Sequence, residues 1–574
     1  MTKLPNAVLR RSTGRRARAK SVLRLQVLLL ALVACGDSDS EMKADAGTNQ
    51  GMSPVDNESD SGADTGPTLG DDATQVKLPD GELEGDVLGQ SVRFLKIPFA
   101  KPPVAALRWK APERNEPWTG VRHEAAFASP CPQPPSQQSA ASTNEDCLYL
   151  NVWRPNDNKA GHPVIVWIHG GGFTTGSAAD YVPNSGEFLW YNGQPFAERG
   201  VVVVTLNYRL GVLGFFAHSG LAKEKSPVGN QGLLDQRMAM TWVHDNIVAF
   251  GGDPKNVTIA GESAGAGSVC MHTVSPGSRG LFQRAVSESG GCTAPDTTDR
   301  AALDAQIAQF ASDHGCSGDD TLECLRGKPV TELVSSAMVD RTMGMDALRR
   351  SFTFGAIVDG EGGFLPKSAL ALYDAGEVAK VPYLLGTNND EAQLYFLAAP
   401  VPANETEYRA AINMTYGSFA ERVLAMYPSE KFGGNYRKLM ARISSDSGLI
   451  CGTLDTARRA VKAGLSVFMY NFNIPWSISR DALGASHASE ISHVFGTPYN
   501  ETPENAAVGT VMNAYWAAFA EKGDPNYDGA PAKWPAFKPD ADDNDQRLQL
   551  APTFEAISNF HKEECKLWRE YAAR

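Results

Sequence analysis

The segment GESAGAGSVC, Gly261–Cys270, places a serine between two glycines at the spacing G-x-S-x-G, directly after the apolar run NVTIA at 256–260. That order restricts the local chain to a strand ending near Ala260, a sharp turn at Ser263 and a helix starting near Ala264. Gly261 and Gly265 lack the Cβ atoms that would collide where strand and helix meet. The turn lifts the hydroxyl above the sheet edge, and the first N–H groups of the helix point toward negative charge developing there. A serine that merely capped a helix would account for the hydroxyl but for neither glycine.

The surrounding segments read the same way. PVIVWIHGGG (163–172), GVVVVTLNYR (200–209) and NVTIAGES (256–263) each run apolar and then break at polar residues or glycine, as buried parallel strands do. Between the last two, at 230–253, Leu234, Met238 and Trp242 share one face of a helix that Gly251 can end. VPYLLGTNNDE (381–391) and SVFMYNFN (466–473) add further strands that run out into loops. The fold class is α/β, a large, mostly parallel central sheet flanked by helices, with ligands expected at the carboxyl ends of the strands. No linker or repeat divides 76–574, which reads as a single domain of about 500 residues.

The N-terminus differs. Residues 1–35 carry eight basic residues and no acidic ones ahead of the run VLLLALVAC at 27–35, which is too short to span a bilayer and has the layout of a secretory signal. Its end, Leu32–Cys35, resembles a lipobox, with Cys35 as the lipidated residue. Residues 36–75 are small, polar and acidic, and read as a disordered tether. Membrane attachment through the N-terminal lipid follows, and Gly36 after the cysteine points to outer-membrane or cell-surface placement; otherwise the protein would be periplasmic or secreted.

Removing the eight leader cations takes the formal charge from -13 to -21. Nucleic acid is therefore excluded as a partner, because backbone binding needs clustered Lys and Arg. Without Cys35, eight of the nine cysteines remain, enough for four disulfides in an exported chain. No C-x-x-C pair occurs and the histidines are scattered, so no metal site is expected. No cofactor is expected either, and the oligomeric state is left open.

A serine nucleophile needs oxyanion donors and a base. HGGGF, His169–Phe173, offers main-chain N–H groups unobstructed by Cβ atoms, and Gly171, Gly172 and Ala264 are the donors expected. It lacks the G-K-[ST] ending of a phosphate loop. In the chain order Ser, acid, His, the base falls among His487, His493 and His561, and the acid among Asp359, Glu361, Asp390 and Glu391. The residues alone do not choose.

The chain resembles the type-B carboxylesterase family, which includes the cholinesterases and the non-catalytic neuroligins. The resemblance spans about 76–570. It rests on EDCLYLNVW (145–153) and FGGDPKNVTIAGESAGAGSV (250–269), with HGGGF, LNYRLGVLGF and GNQGLLDQRMAMTWVHDNIVAF between them. It implies an α/β-hydrolase fold, with Ser263 as nucleophile, Glu391 as acid and His487 as base, and no cofactor. Glu262 resembles the family's buried glutamate beside the nucleophile, and Ser289 and Glu490 match supporting polar positions. The implied activity is hydrolysis of small-molecule carboxylic esters through an acyl-serine. Amidase or lipase action with the same residues, or a neuroligin-like binding role, are the alternatives.

The resemblance also implies the disulfides Cys131–Cys147, Cys316–Cys324 and Cys451–Cys565. It leaves Cys270 and Cys292 either paired or as free thiols, since the elbow helix and the strand near 285–287 should be neighbours. Phe352 and Phe354 lie where the family builds its acyl pocket, and either line it or pack in the core; with Glu262 and Phe173 they are the candidate substrate-binding residues. One departure concerns substrate: 132–146 contains no aromatic residue, so the ring on which a choline headgroup stacks in cholinesterases is missing from that loop.

Overall fold

The computed structural model describes residues 68–574 apart from 136–138, 180–188, 293–299, 337–353, 478 and 541–544. The signal segment, Cys35, the tether to residue 67 and Phe352 lie outside the described residues.

The apolar runs become the centre of an 11-stranded sheet. Its strands in chain order are β1 (Asp86–Leu88), β2 (Ser91–Pro98), β3 (Tyr149–Pro155), β4 (His162–Ile168), β5 (Val202–Leu206), β6 (Gly252–Glu262), β7 (Arg284–Glu288), β8 (Tyr383–Asn388), β9 (Val467–Phe472), β10 (Gln546–Leu550) and β11 (Glu555–Ser558). Across the sheet they lie in the order β11-β10-β9-β8-β7-β6-β4-β5-β3-β2-β1. The run from β5 to β10 is parallel throughout, and antiparallel strands close both edges. A small sheet of Gln75–Leu78, Gly81–Glu84 and Val121–His123 stands apart.

The continuous apolar character of these strands has a direct cause. Val164, Val166 and Ile168 of β4 enter one core, whereas Ile165 and Trp167 enter the core on the opposite face. A strand covered on both sides has no solvent face on which to alternate polar residues. The helix expected over 230–253 is α1, Gln231–Asn246, followed by a 3₁₀ turn to Phe250, and Gly251 ends it at φ 79°. Leu234 and Trp242 are buried and Met238 is half-buried. At its start Asp235 forms a bidentate pair with Arg209, 2.6 and 2.7 Å, with both side chains buried.

Four disulfides are formed among the described residues: Cys131–Cys147, Cys316–Cys324, Cys451–Cys565 and Cys270–Cys292. The last joins the two cysteines whose state the resemblance leaves open. It ties α2 (Ala264–Val274), the helix after Ser263, to the turn after β7, with its Cα atoms 5.3 Å apart. No described helix is long and apolar enough to cross a membrane.

Candidate active site

β6 ends at Glu262 and α2 begins at Ala264, leaving Ser263 alone in the turn at φ 57°, ψ -120°. Only close packing holds a non-glycine residue in such a conformation. Ser263 N–H donates to Glu288 O at 2.9 Å. A Cβ on Gly265 would lie 2.0 Å from Ile168 O, and one on Gly261 would lie 2.6 Å from the same atom. The two glycines thus let α2 press onto β4 and drive the turn upward. The serine is half-buried, as a group that must meet both protein and ligand should be.

The glycine-rich loop leaves the neighbouring strand β4 and crosses this turn. A Cβ on Gly170 would approach Glu262 Oε2 to 2.7 Å and Ser263 Cβ to 3.1 Å. Gly171 and Gly172 take φ 97° and 62°. His169 anchors the loop: its ring stacks on Tyr208 at 4.4 Å, Nδ1 lies 2.9 Å from Gly170 O, and the Tyr208 hydroxyl donates to His169 O. Burial pushes His169 down to about 4, so it is neutral and Nδ1 donates. The N–H groups of Gly171, Gly172 and Ala264 donate to no other group among the described residues. Unengaged main-chain donors beside a serine are what an oxyanion requires.

His487 lies in the loop before α5 (Ile491–Val494) and is buried. Its Nδ1 is 2.7 Å from Glu391 Oε2, and the other Glu391 oxygen accepts the Asn388 N–H at 2.7 Å. Its main-chain N–H donates to Glu391 O, and the Tyr395 ring lies 5.5 Å away. Nε2 lies 3.1 Å from Glu262 Oε1 but makes no well-aligned hydrogen bond, and none joins it to Ser263. Burial lowers the His487 pKa, but Glu262 and Glu391 outweigh it and raise the imidazole to about 9. Burial raises Glu262 to about 8, opposed by His487.

Behind the imidazole, Glu490 accepts hydrogen bonds from the Ser289 hydroxyl and the Asn388 amide, and Glu288 accepts one from Trp516 Nε1. Burial, then the nearby Glu391, lifts Glu490 to about 7. Burial, followed by Glu490, raises Glu288 well above the usual carboxylate range. Burial and mutual repulsion therefore leave part of the group Glu262, Glu288 and Glu490 protonated near neutrality.

The structure thus brings Glu391 and His487 into contact and sets Glu262 and Ser263 beside them. Of the other candidate bases and acids, all but Asp390, which bonds to Ala485 beside the pair, lie elsewhere. His493 packs edge-on to Phe472, His561 Nδ1 lies 3.1 Å from Asp446 Oδ1, and Asp359 accepts N–H groups of its own turn. Glu361 is exposed. Phe173 is buried against Phe215, and Phe354 packs edge-on against Phe310, so both side chains sit in the core. Glu288, Asn388 and Tyr395 are not singled out by the sequence. Only the polar run NND ahead of Glu391 hints at the hydrogen bonding found at the end of β8.

The sequence pattern of the carboxylesterase family matches residues 72–568, nearly the whole described chain. The protein with this elbow, glycine loop and acid–imidazole pair belongs to the carboxylesterase family.

Proposed function

We propose that the protein is a serine carboxylesterase that hydrolyses small-molecule carboxylic esters through an acyl-enzyme on Ser263. The observation that carries this reading is the 2.7 Å contact between His487 Nδ1 and Glu391, beside a serine held at φ 57°. Nε2 turns from Glu262 to the Ser263 hydroxyl when substrate is bound, a realignment of the kind that catalytic hydrogen bonds of free enzymes undergo. His487 takes the serine proton as Oγ attacks the ester carbonyl, and Glu391 holds the tautomer and stabilises the imidazolium. The N–H groups of Gly171, Gly172 and Ala264 receive the oxyanion. The imidazolium then protonates the departing alcohol, leaving the acyl-serine. Water, deprotonated by His487, attacks that ester, and collapse releases the acid and returns the proton to Ser263.

No step uses a metal or organic cofactor. The charge of the mature chain leaves no role for nucleic acid. The lipobox-like Leu32–Cys35 and the acidic tether after it support export and attachment through acyl chains on Cys35. Metabolic labelling with a fatty-acid analogue checks this, with the label expected to vanish in Cys35→Ala.

The decisive experiment is hydrolysis of p-nitrophenyl esters from acetate to laurate by the purified protein and by Ser263→Ala. The expected result is turnover that falls by at least about a thousandfold in the variant. Absence of turnover on every ester by folded protein would remove the general-esterase reading.

A further inference from the structure

Asp390 precedes Glu391, yet its bonds run to a different partner. Its N–H donates to Ala485 O at 2.8 Å, and its Oδ2 accepts the Ala485 N–H at 3.2 Å. One residue on, Glu391 O accepts the His487 N–H at 3.1 Å. These three bonds make a short ladder between the loop that carries the acid and the loop that carries the imidazole. The fit is close, because a Cβ on Gly484 would lie 2.4 Å from Asp390 Oδ2.

The second oxygen of Asp390 is held from outside the ladder. Arg442 Nη2, on the helix α3 (Tyr436–Ser445), donates to Asp390 Oδ1 at 3.0 Å, and both side chains are largely buried. Arg442 Nη1 lies 3.4 Å from Asp446 Oδ1. Asp446 is fully buried, accepts the Tyr427 hydroxyl at 2.9 Å and lies 3.1 Å from His561 Nδ1. It opens a single π-helical turn, Asp446–Ile450, that runs into α4 (Cys451–Lys462). Such turns are rare and concentrate at functional sites. Cys451 is bonded to Cys565 of α6 (Lys562–Ala572). Arg442 therefore connects the two loops to a framework fixed by covalent and ionic links.

A loop tip held only by its own backbone keeps conformational freedom that a 2.7 Å acid–imidazole contact cannot tolerate. An aspartate serving only solubility would not have both oxygens engaged, one by each side of the arrangement.

We propose that Asp390 is a positioning residue for the Glu391–His487 pair, with Arg442 as its anchor; this rests on reading that pair as acid and base. The test is p-nitrophenyl acetate hydrolysis over a range of pH by the full chain and by Asp390→Ala, Asp390→Asn, Arg442→Met and the double variant Asp390→Ala/Arg442→Met. Asp390→Ala is expected to lower kcat by about 10- to 100-fold with KM within about threefold. The groups facing His487 are Glu262 from β6, Glu391 from the turn after β8, Tyr395 from the short helix Gln393–Phe396 that follows it, and Glu490 at the start of α5. Loosening Glu391 weakens one of the charges that favour imidazolium, so the acid limb moves to lower pH. Asp390→Asn keeps one oxygen for the Ala485 N–H but turns an amide NH2 toward the Arg442 guanidinium, so it is expected to lower kcat as Arg442→Met does. Arg442→Met lowers kcat alone but adds nothing to Asp390→Ala.

Wild-type turnover with kcat and the acid limb unchanged in Asp390→Ala overturns the positioning role alone. If that variant does not fold, the same result in both Asp390→Asn and Arg442→Met overturns it. A wild-type protein without Ser263-dependent hydrolysis overturns this inference together with the reading beneath it.

Discussion

The imidazole Nε2 of His487 lies 3.1 Å from Oε1 of Glu262, the residue that directly precedes Ser263. A carboxylate in that place competes with the serine hydroxyl for Nε2 and helps hold the imidazole near 9. In the proposed role of general base His487 works only in its neutral form, so this contact pushes the active range toward higher pH. Replacing Glu262 with Gln removes a charge that favours imidazolium. The acid limb of kcat/KM is expected to fall by about one pH unit or more, read from initial rates. An unmoved or raised limb would rule out Glu262 as a cause of the shift.

Gly171 tests the oxyanion assignment. Its φ is 97°, and a Cβ added there would lie 2.0 Å from Thr175 O, so an alanine must displace the loop. Gly171→Ala is expected to lower kcat by about 10²- to 10³-fold with little change in KM. Steady-state kinetics, with near-ultraviolet circular dichroism to confirm the fold, decide it; a loss confined to KM would argue for a binding role instead.

Stability at the base of α1 depends on Arg209 and Asp235, which are buried together. Asp235→Ala leaves the guanidinium without its counter-charge, at a cost of about 3–5 kcal/mol. Urea unfolding measures it, and a loss below about 1 kcal/mol would mean that water reaches the cation.

The disulfides should differ in worth. Cys451–Cys565 closes a separation of 114 residues and Cys316–Cys324 one of 8. Restriction of the unfolded chain gives about 5 kcal/mol for the first and about 2.5 kcal/mol for the second. Thermal unfolding of the two double-serine variants should rank them in that order, and the reverse ranking would show that enthalpy in the folded state dominates.

Local pattern carried much of the fold. β4, β5 and β6 are written as unbroken apolar runs because both their faces are buried, and the elbow is written as two glycines because α2 must touch β4. What pattern could not carry was partnership across long separations. His487, His493 and His561 are alike as residues, and only the fold puts Glu391 against the first, Phe472 against the second and Asp446 against the third. Resemblance to the family pointed to His487 and Glu391 where spacing did not. Cys270 and Cys292 show the same limit: their elements were expected to be neighbours, but whether two thiols meet depends on side-chain direction.

Around Ser263 several residues that have no side chain sit where none would fit. A methyl group on Gly265 would meet Ile168 O at 2.0 Å, and one on Gly290 would meet Ser263 O at 2.8 Å. In a library of random variants, the positions under the strictest selection would therefore include ones that contribute no functional group. Inherited tolerance at this site is governed by what must stay absent, and a survey that ranks residues by their reactive atoms would overlook it.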